Sequence, residues 1–399
     1  MAISQKTPQT FILLFLFSFS NFLGLMYSAA LPDLTSYFNI SEGAAQQTIA
    51  LYLAGFGLGQ LIYGPISLAI GRKKAIYIGC GIATLGSLLC IIAIEENLFV
   101  LLLIARLMTA LGAACGLSMT FTMINDAFTP VEGRKKISVL LGGFAFFPAI
   151  GIYIGGILTE YYSWKACFYF LILYSVFIFA LSFFLPETLQ ERDVGHLNPI
   201  RILRTYFSHF KHTLFLFCSL ILGVSGGVVY IFAAEAPYIA TNDLNISPNL
   251  YGLLNLIPFF GLFLGGFFSS HISNKLQPKT LILTGSLIYC GASLLMLIAF
   301  GLGLVNPSSL FLFPFVIFFS FPMIFSSSSM LGISLSSQKS YAASLINFLQ
   351  ILIGVLIMEM VFFFPIESAA ILPLVYSTVG AVLLVLWTIL NFLPAKDES

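Results

Sequence analysis

Apolar runs of about 20 residues recur along the whole chain, separated by short polar or Gly/Pro breaks. That is the length a helix needs to cross a bilayer core of roughly 30 Å. Hydrocarbon offers the main chain no hydrogen-bond partners, so only helices and closed barrels cross it. Unbroken runs of this length, without two-residue alternation, select helices. Twelve can be marked: Phe11–Leu31, Ala45–Ser67, Ala75–Ile94, Phe99–Ile124, Ile137–Leu158, Lys165–Leu185, Leu214–Ala236, Leu250–Ile272, Thr280–Phe300, Leu310–Leu335, Ala342–Phe364 and Ala369–Leu393. Composition closes the soluble alternative. The chain is 59% hydrophobic and 8% charged, where a soluble domain carries roughly 25% charged residues. The expectation is an all-α membrane protein with 12 transmembrane helices. Lys6, the first run and Ser28-Ala29-Ala30 imitate a signal peptide. Cleavage would leave an odd number of helices, so the run is read as the first span.

Charge sorts the loops. With the N-terminus inside, Lys6, Arg72, Lys73, Lys74, Arg134, Lys135, Lys136, Arg192, Arg201, Arg204, Lys211, Lys275, Lys279, Lys339 and Lys396 all fall on the cytoplasmic side. Only Lys165 falls outside, and Arg106 lies within a span. Both termini are therefore expected in the cytoplasm. The net charge of +1 implies no nucleic-acid partner. The six cysteines sit in apolar stretches without a CxxC pair and read as packing residues, with neither disulfide nor metal site.

Residues 186–212 form the longest polar stretch and sit midway. They read as a cytoplasmic linker between two six-helix halves, residues 1–185 and 213–399. "GPISLAIGRKK" after span two and "GGFFSSHISNKLQPK" after span eight repeat one pattern: small residues, a Ser, then a basic turn. Internal repeats mark secondary transporter folds, with the substrate near the midplane between halves.

Five motifs carry a resemblance: "MYSAALPDL" from Met26, "GFGLGQLIYGPISLAIGRKK" from Gly55, "RLMTALGAACG" from Arg106, "PAIGIYIGGILTEYYSWKACF" from Pro148 and "SYAASLINFLQ" from Ser340. Together they resemble the major facilitator superfamily, and within it the bacterial drug-resistance transporters of the Bcr/CflA type. The resemblance implies the major facilitator fold, alternating access, and drug:proton antiport across a bacterial inner membrane. It places Gly64, Gly71 and Arg72 in the loop motif and Gly155 and Gly156 in the exporter motif, both tied to gating. Three positions depart from the pattern. Leu68 stands where the loop motif is acidic, Ile152 where the exporter motif has Pro, and Leu25 where a proton-coupling carboxylate is common.

Ionisable residues within spans are costly, about 2.5–3.5 kcal/mol on insertion scales, and default to function. Arg106 lies roughly 10 Å deep on span four, sharing a face with Thr109, Ala113, Gly116 and Thr120. It reads as a substrate anchor or coupling residue, or as a brace held by backbone carbonyls and by groups such as Asn21 or Gln47. Glu235, late in span seven beside Tyr238, is the candidate protonatable gate, or an interfacial residue paired with an outer-loop group. Asp126, ending span four near Arg134 and Lys135, is a candidate gate ion pair or a solvated loop charge. Asn21, Tyr27, Tyr153, Tyr230, Asn255, Asn347 and Gln350 are candidate pocket liners. Pro314, Pro322 and the serines of span ten predict a kinked helix.

A midplane Arg without a midplane carboxylate suits an anionic or neutral substrate, since a carboxylate can bind it bidentately. Two transporter readings follow: a small-solute carrier of the drug-resistance type, or a carrier of an anionic metabolite or carboxylate-type siderophore, in either direction. A third, from another class, is a transport-dead receptor or assembly subunit, which the departures at Leu25, Leu68 and Ile152 allow. No cofactor, catalytic cluster or nucleotide loop is implied, so the chain is not read as an enzyme. The expected partners are a small-molecule substrate and the bilayer, with protons as candidate coupling ion and the chain as a monomer.

Overall fold

The computed structural model describes residues 7–189, 199–273, 275–334, 339–362 and 369–392. Among them no strand occurs. By its contacts the chain divides into two compact units, Met1–Leu203 and Arg204–Ser399.

The first unit opens with α1 (Thr10–Leu25), a 3-10 turn over Met26–Ala30, and α2 (Leu31–Phe38). Then come α3 (Glu42–Ile70), α4 (Arg72–Glu95), α5 (Phe99–Ala113), α6 (Cys115–Ala127), α7 (Pro130–Tyr161) and α8 (Trp164–Ser182). A further helix, α9 (Pro199–His209), lies inside the stretch expected to be the linker. The second unit holds α10 (Thr213–Tyr238), a π-helical turn over Ile239–Asp243, α11 (Pro248–Leu254) and α12 (Leu256–Ile272). It closes with α13 (Pro278–Gly301), α14 (Pro307–Ser334), α15 (Lys339–Phe362) and α16 (Ile371–Phe392). Among the described residues, eleven helical stretches are long and apolar enough to cross a membrane, and α7 carries a shorter apolar stretch, Phe146–Tyr161.

Helix starts follow from their caps. Thr129 and Glu132 form a reciprocal capping box at the head of α7, each side chain taking the other's main-chain N–H. Ser41 and Ser247 accept from the N–H groups of Ala44 and Leu250 at the heads of α3 and α11. The joint between α3 and α4 is the single residue Gly71, at φ 103°. A side chain there would be strained, so glycine makes a one-residue turn between two long helices possible.

The spans of the sequence reading match these helices to within a few residues, except that α7 begins seven residues before the expected Ile137 and the helical stretches of spans one and seven run on to Phe38 and Asp243, past the expected Leu31 and Ala236. Span ten is one continuous helix, α14, with Pro314 and Pro322 inside it. Breaks in the winding occur at Met26, at Ala114, after Tyr238 and at Asn255. Three of these lie near a proline: Pro32, Pro237 and Pro258 lack the N–H that the carbonyls of Ser28, Ala233 and Leu254 need. The break at Ala114 has no proline and is held by side chains from other helices. All six cysteines are free, five of them buried.

Candidate functional site

Arg106 sits on α5, about two turns before that helix breaks. Its side chain is wholly buried. Nη1 donates to the carbonyl of Leu23 at 3.0 Å, Nη2 to that of Gly24 at 3.2 Å, and Nε to that of Thr48 at 3.4 Å. Leu23 and Gly24 belong to the last turn of α1, where carbonyls are left over as the winding tightens to 3-10. The guanidinium thus caps a helix C-terminus, the end where partial negative charge collects. Two aromatic rings enclose it, with centroids 4.5 Å away for Tyr27 and 4.3 Å for Tyr52. Tyr27 shares a 2.7 Å hydrogen bond with the Thr48 hydroxyl, and Tyr52 donates to the carbonyl of Ser20 at 2.7 Å. Among the described residues no carboxylate pairs with Arg106.

The second break, at Ala114, is satisfied in the same way. Tyr63 donates to the carbonyl of Gly112 at 3.3 Å, Ser20 to that of Ala113 at 2.6 Å, and Gln60 to that of Ala114 at 3.4 Å. Ser118 in turn donates to the Gln60 side-chain oxygen at 2.9 Å. Ser20 ties the two breaks together: its carbonyl takes Tyr52 and its hydroxyl serves α5. None of Ser20, Tyr52, Gln60 or Tyr63 stood out in the sequence. Their only signal there was a polar atom within an apolar run, and tyrosine and serine occur throughout these spans.

A polar cluster joins the ends of α3, α4, α6 and α8. Arg72 Nε meets Asp126 at 3.0 Å, with the two side chains 7% and 24% exposed. Arg72 Nη1 donates to the Ser67 hydroxyl at 2.7 Å, and the Thr188 hydroxyl donates to Asp126 at 3.1 Å. Glu187 caps α4: its two oxygens accept from the main-chain N–H groups of Arg72 at 2.9 Å and Lys73 at 3.3 Å. A carboxylate at a helix N-terminus meets both unpaired donors and the positive end of the dipole.

These placements correct several expectations. Arg106 binds main-chain carbonyls, as its bracing reading has it, while Asn21 and Gln47 are not among its hydrogen-bond partners, and both it and Tyr27 are wholly buried. Asp126, 24% exposed, pairs with Arg72; the side chains of Arg134 and Lys135, its neighbours in sequence, lie outside the described residues. The one-residue turn at Gly71 brings Arg72 to it. Gly64 faces open space on its Cβ side, so close packing does not explain it. At Gly155 a Cβ would overlap the carbonyl oxygen of Met26, so α7 approaches the 3-10 turn at main-chain distance. Gly156 is buried beside it.

The other candidates are spread over both units. Asn21 and Tyr153 are partly exposed in the first, and Tyr230, Asn347 and Gln350 in the second. Gln350 of α15 packs on α10 at Gly226. Asn255 is buried at the α11–α12 break, and neither of its amide atoms has a hydrogen-bond partner among the described residues. Glu235 is partly exposed one turn before the end of α10. Among the described residues, no three His, Cys, Asp or Glu gather as a metal site would require.

Comparison with known proteins places this arrangement. A model of the Major Facilitator Superfamily matches residues 10–358. An uncharacterized transporter of Rickettsia felis is 32% identical over 316 residues, covering 77% of this chain and 76% of that protein. Multidrug resistance protein D of Escherichia coli is 28% identical over 302 residues, covering 75% and 74%. A crystal structure of a D-xylose-proton symporter superposes with a TM-score of 0.76, covering 98% of each chain at 15% identity, which speaks to fold alone.

Proposed function

The chain belongs to the Major Facilitator Superfamily, and from that premise we propose that it is a drug-resistance-type secondary transporter whose solutes are lipophilic and neutral or anionic. The family is one of membrane transporters that carry small molecules, so the chain is a multi-pass transporter and not an enzyme. Export is supported by relatives named for multidrug resistance. A bacterial inner-membrane location is supported by relatives from bacteria. In this reading the solute crosses by alternating access, as a monomer and with protons as coupling ion. Asn21, Tyr153, Tyr230, Asn347 and Gln350 are its candidate contacts, and Arg72, Asp126 and Glu235 its gating groups.

The observation that carries the substrate class is the state of Arg106. Among the described residues it meets carbonyls and ring faces, and no acid pairs with it. Leu25, where the family pattern has a carboxylate, is buried and apolar. A lipophilic cation beside Arg106 would meet a cation balanced by carbonyl dipoles and ring faces and, among the described residues, no paired acid to offset the newcomer's desolvation. The same observation favours the second reading, a carrier of an anionic metabolite or carboxylate-type siderophore.

The test uses tetraphenylphosphonium and tetraphenylborate, matched in shape and opposite in charge. Purified protein is melted in detergent with each. A ligand at 100 times its dissociation constant adds about 2.7 kcal/mol of stability. Tetraphenylborate should raise the melting midpoint more than tetraphenylphosphonium does. Stronger stabilisation by the cation would overturn the assigned substrate class.

A further inference from the structure

The stretch from Pro199 to His212 contains no acidic residue and carries Arg201, Arg204, Lys211 and two histidines. Its helix, α9, ends directly before α10 begins at Thr213. Two contacts fix where it lies in the second unit. The ring of Tyr206 sits 5.4 Å from that of Tyr341, the third residue of α15, and its hydroxyl bonds Ser344. The ring of His209 sits 5.5 Å from that of Phe215, the third residue of α10. So α9 covers the starts of two membrane-crossing helices, at the boundary where the bilayer begins.

The side turned away from those contacts is unusual for a polar linker. Phe207 is 66% exposed and Phe210 39%, with ring centroids 6.1 Å apart. Arg204 and Lys211 are also exposed. Arg204, Phe207 and Lys211 recur at three- and four-residue spacing, so cation, aromatic and cation follow one another along one face. The turn after His209 continues in three-residue steps, which keeps Lys211 in line. Two bare phenylalanines facing water would be unfavourable. Facing the headgroup–acyl boundary they bury their rings while the long cationic side chains reach the phosphates.

We propose that α9 is an interfacial helix that seats Phe207 and Phe210 in the adjoining leaflet and holds anionic phospholipid headgroups with Arg204 and Lys211. The occupant is a lipid and not a soluble anion, because the cations flank an aromatic pair at the bilayer edge. The surface is independent of which solute the transporter carries.

The full-length protein is placed in nanodiscs of phosphatidylcholine alone, or with one third phosphatidylglycerol, and its melting midpoint is measured. Phosphatidylglycerol should raise the wild-type midpoint by several degrees. Arg204→Gln/Lys211→Gln should keep the phosphatidylcholine midpoint and lose most of that rise. Lys74→Gln/Lys275→Gln, which removes the same charge from exposed residues elsewhere, should keep it, as should the charge-preserving Arg204→Lys/Lys211→Arg. Native mass spectrometry should show several-fold preference for phosphatidylglycerol in wild type and none in Arg204→Gln/Lys211→Gln. An equal rise in wild type and that variant would overturn the proposal. So would an equal loss in the Lys74/Lys275 variant, or inorganic phosphate reproducing the rise in phosphatidylcholine discs.

Discussion

Replacing Arg106 with Met keeps the length and apolar bulk of the side chain and removes its five donors. Three hydrogen bonds from a charged group go, at about 1.5–3 kcal/mol each. Two ring contacts go, at about 0.5–2 kcal/mol each. Against this stands the relief of no longer holding a cation in hydrocarbon, about 2.5–3.5 kcal/mol. At the weakest end of each range the variant still loses about 2 kcal/mol. For a unit of this size that lowers the midpoint by about 4–8 °C. Arg106→Lys keeps the charge and its insertion cost. It cannot fork between Leu23 and Gly24 or lie flat between Tyr27 and Tyr52, so it should recover less than half of the loss. The assay is thermal unfolding of detergent-purified protein, read by loss of the monodisperse peak. If both variants melt within about 1 °C of wild type, the carbonyls of α1 are satisfied without Arg106 and the bracing account fails.

Gly155→Ala should destabilise by about 1–3 kcal/mol, because its methyl would strike main chain at Met26 and not a movable side chain. Gly64→Ala has open space and should melt like wild type, so equal effects at the two positions would contradict the packing argument. Arg72→Gln and Asp126→Asn, combined in a double-mutant cycle, should show a coupling energy of about 0.5–3 kcal/mol, and additive losses would show that the ion pair contributes nothing. Glu187→Ala should cost about 0.5–2 kcal/mol by uncapping α4, with Glu187→Gln recovering part of it; identical melting of wild type and Glu187→Ala would mean water caps that helix equally well.

The spans were legible because a bilayer imposes one length and one polarity on everything that crosses it. Arg106 was legible for the same reason: a charge within an apolar run stands out. That carbonyls brace it was one of the readings, but which carbonyls was not legible, because every residue has one and no sequence marks it. What selects Leu23 and Gly24 is the change of winding at Met26, a three-dimensional event prepared by Pro32 six residues further on. The break at Ala114 was hidden for a related reason. No proline announces it, and it persists because Ser20, Gln60 and Tyr63 arrive from other helices to take its carbonyls. The Arg72–Asp126 pair was not legible because its members lie far apart in sequence and the one-residue turn at Gly71 brings them together. Glu187 went unremarked as the first polar residue of a linker, yet it caps a helix that starts 115 residues earlier in the chain.

Broken helices in a membrane interior are usually read as hinges, yet the first unit argues against free bending at its two breaks. Five carbonyls lie around them: Leu23, Gly24, Gly112, Ala113 and Ala114. Each takes a donor from a side chain on another helix. With no water in hydrocarbon to replace a lost donor, bending α1 or α5 would strand these groups at about 1–3 kcal/mol apiece. Helix α3 supplies Gln60 and Tyr63, and the Thr48 carbonyl and Tyr52 ring that hold Arg106 in place. The breaks therefore give α1 and α5 their shape while the cross-bonds lock them to α3. This unit is built to move as one piece, and the largely buried Arg72–Asp126 pair ties its polar end in the same way.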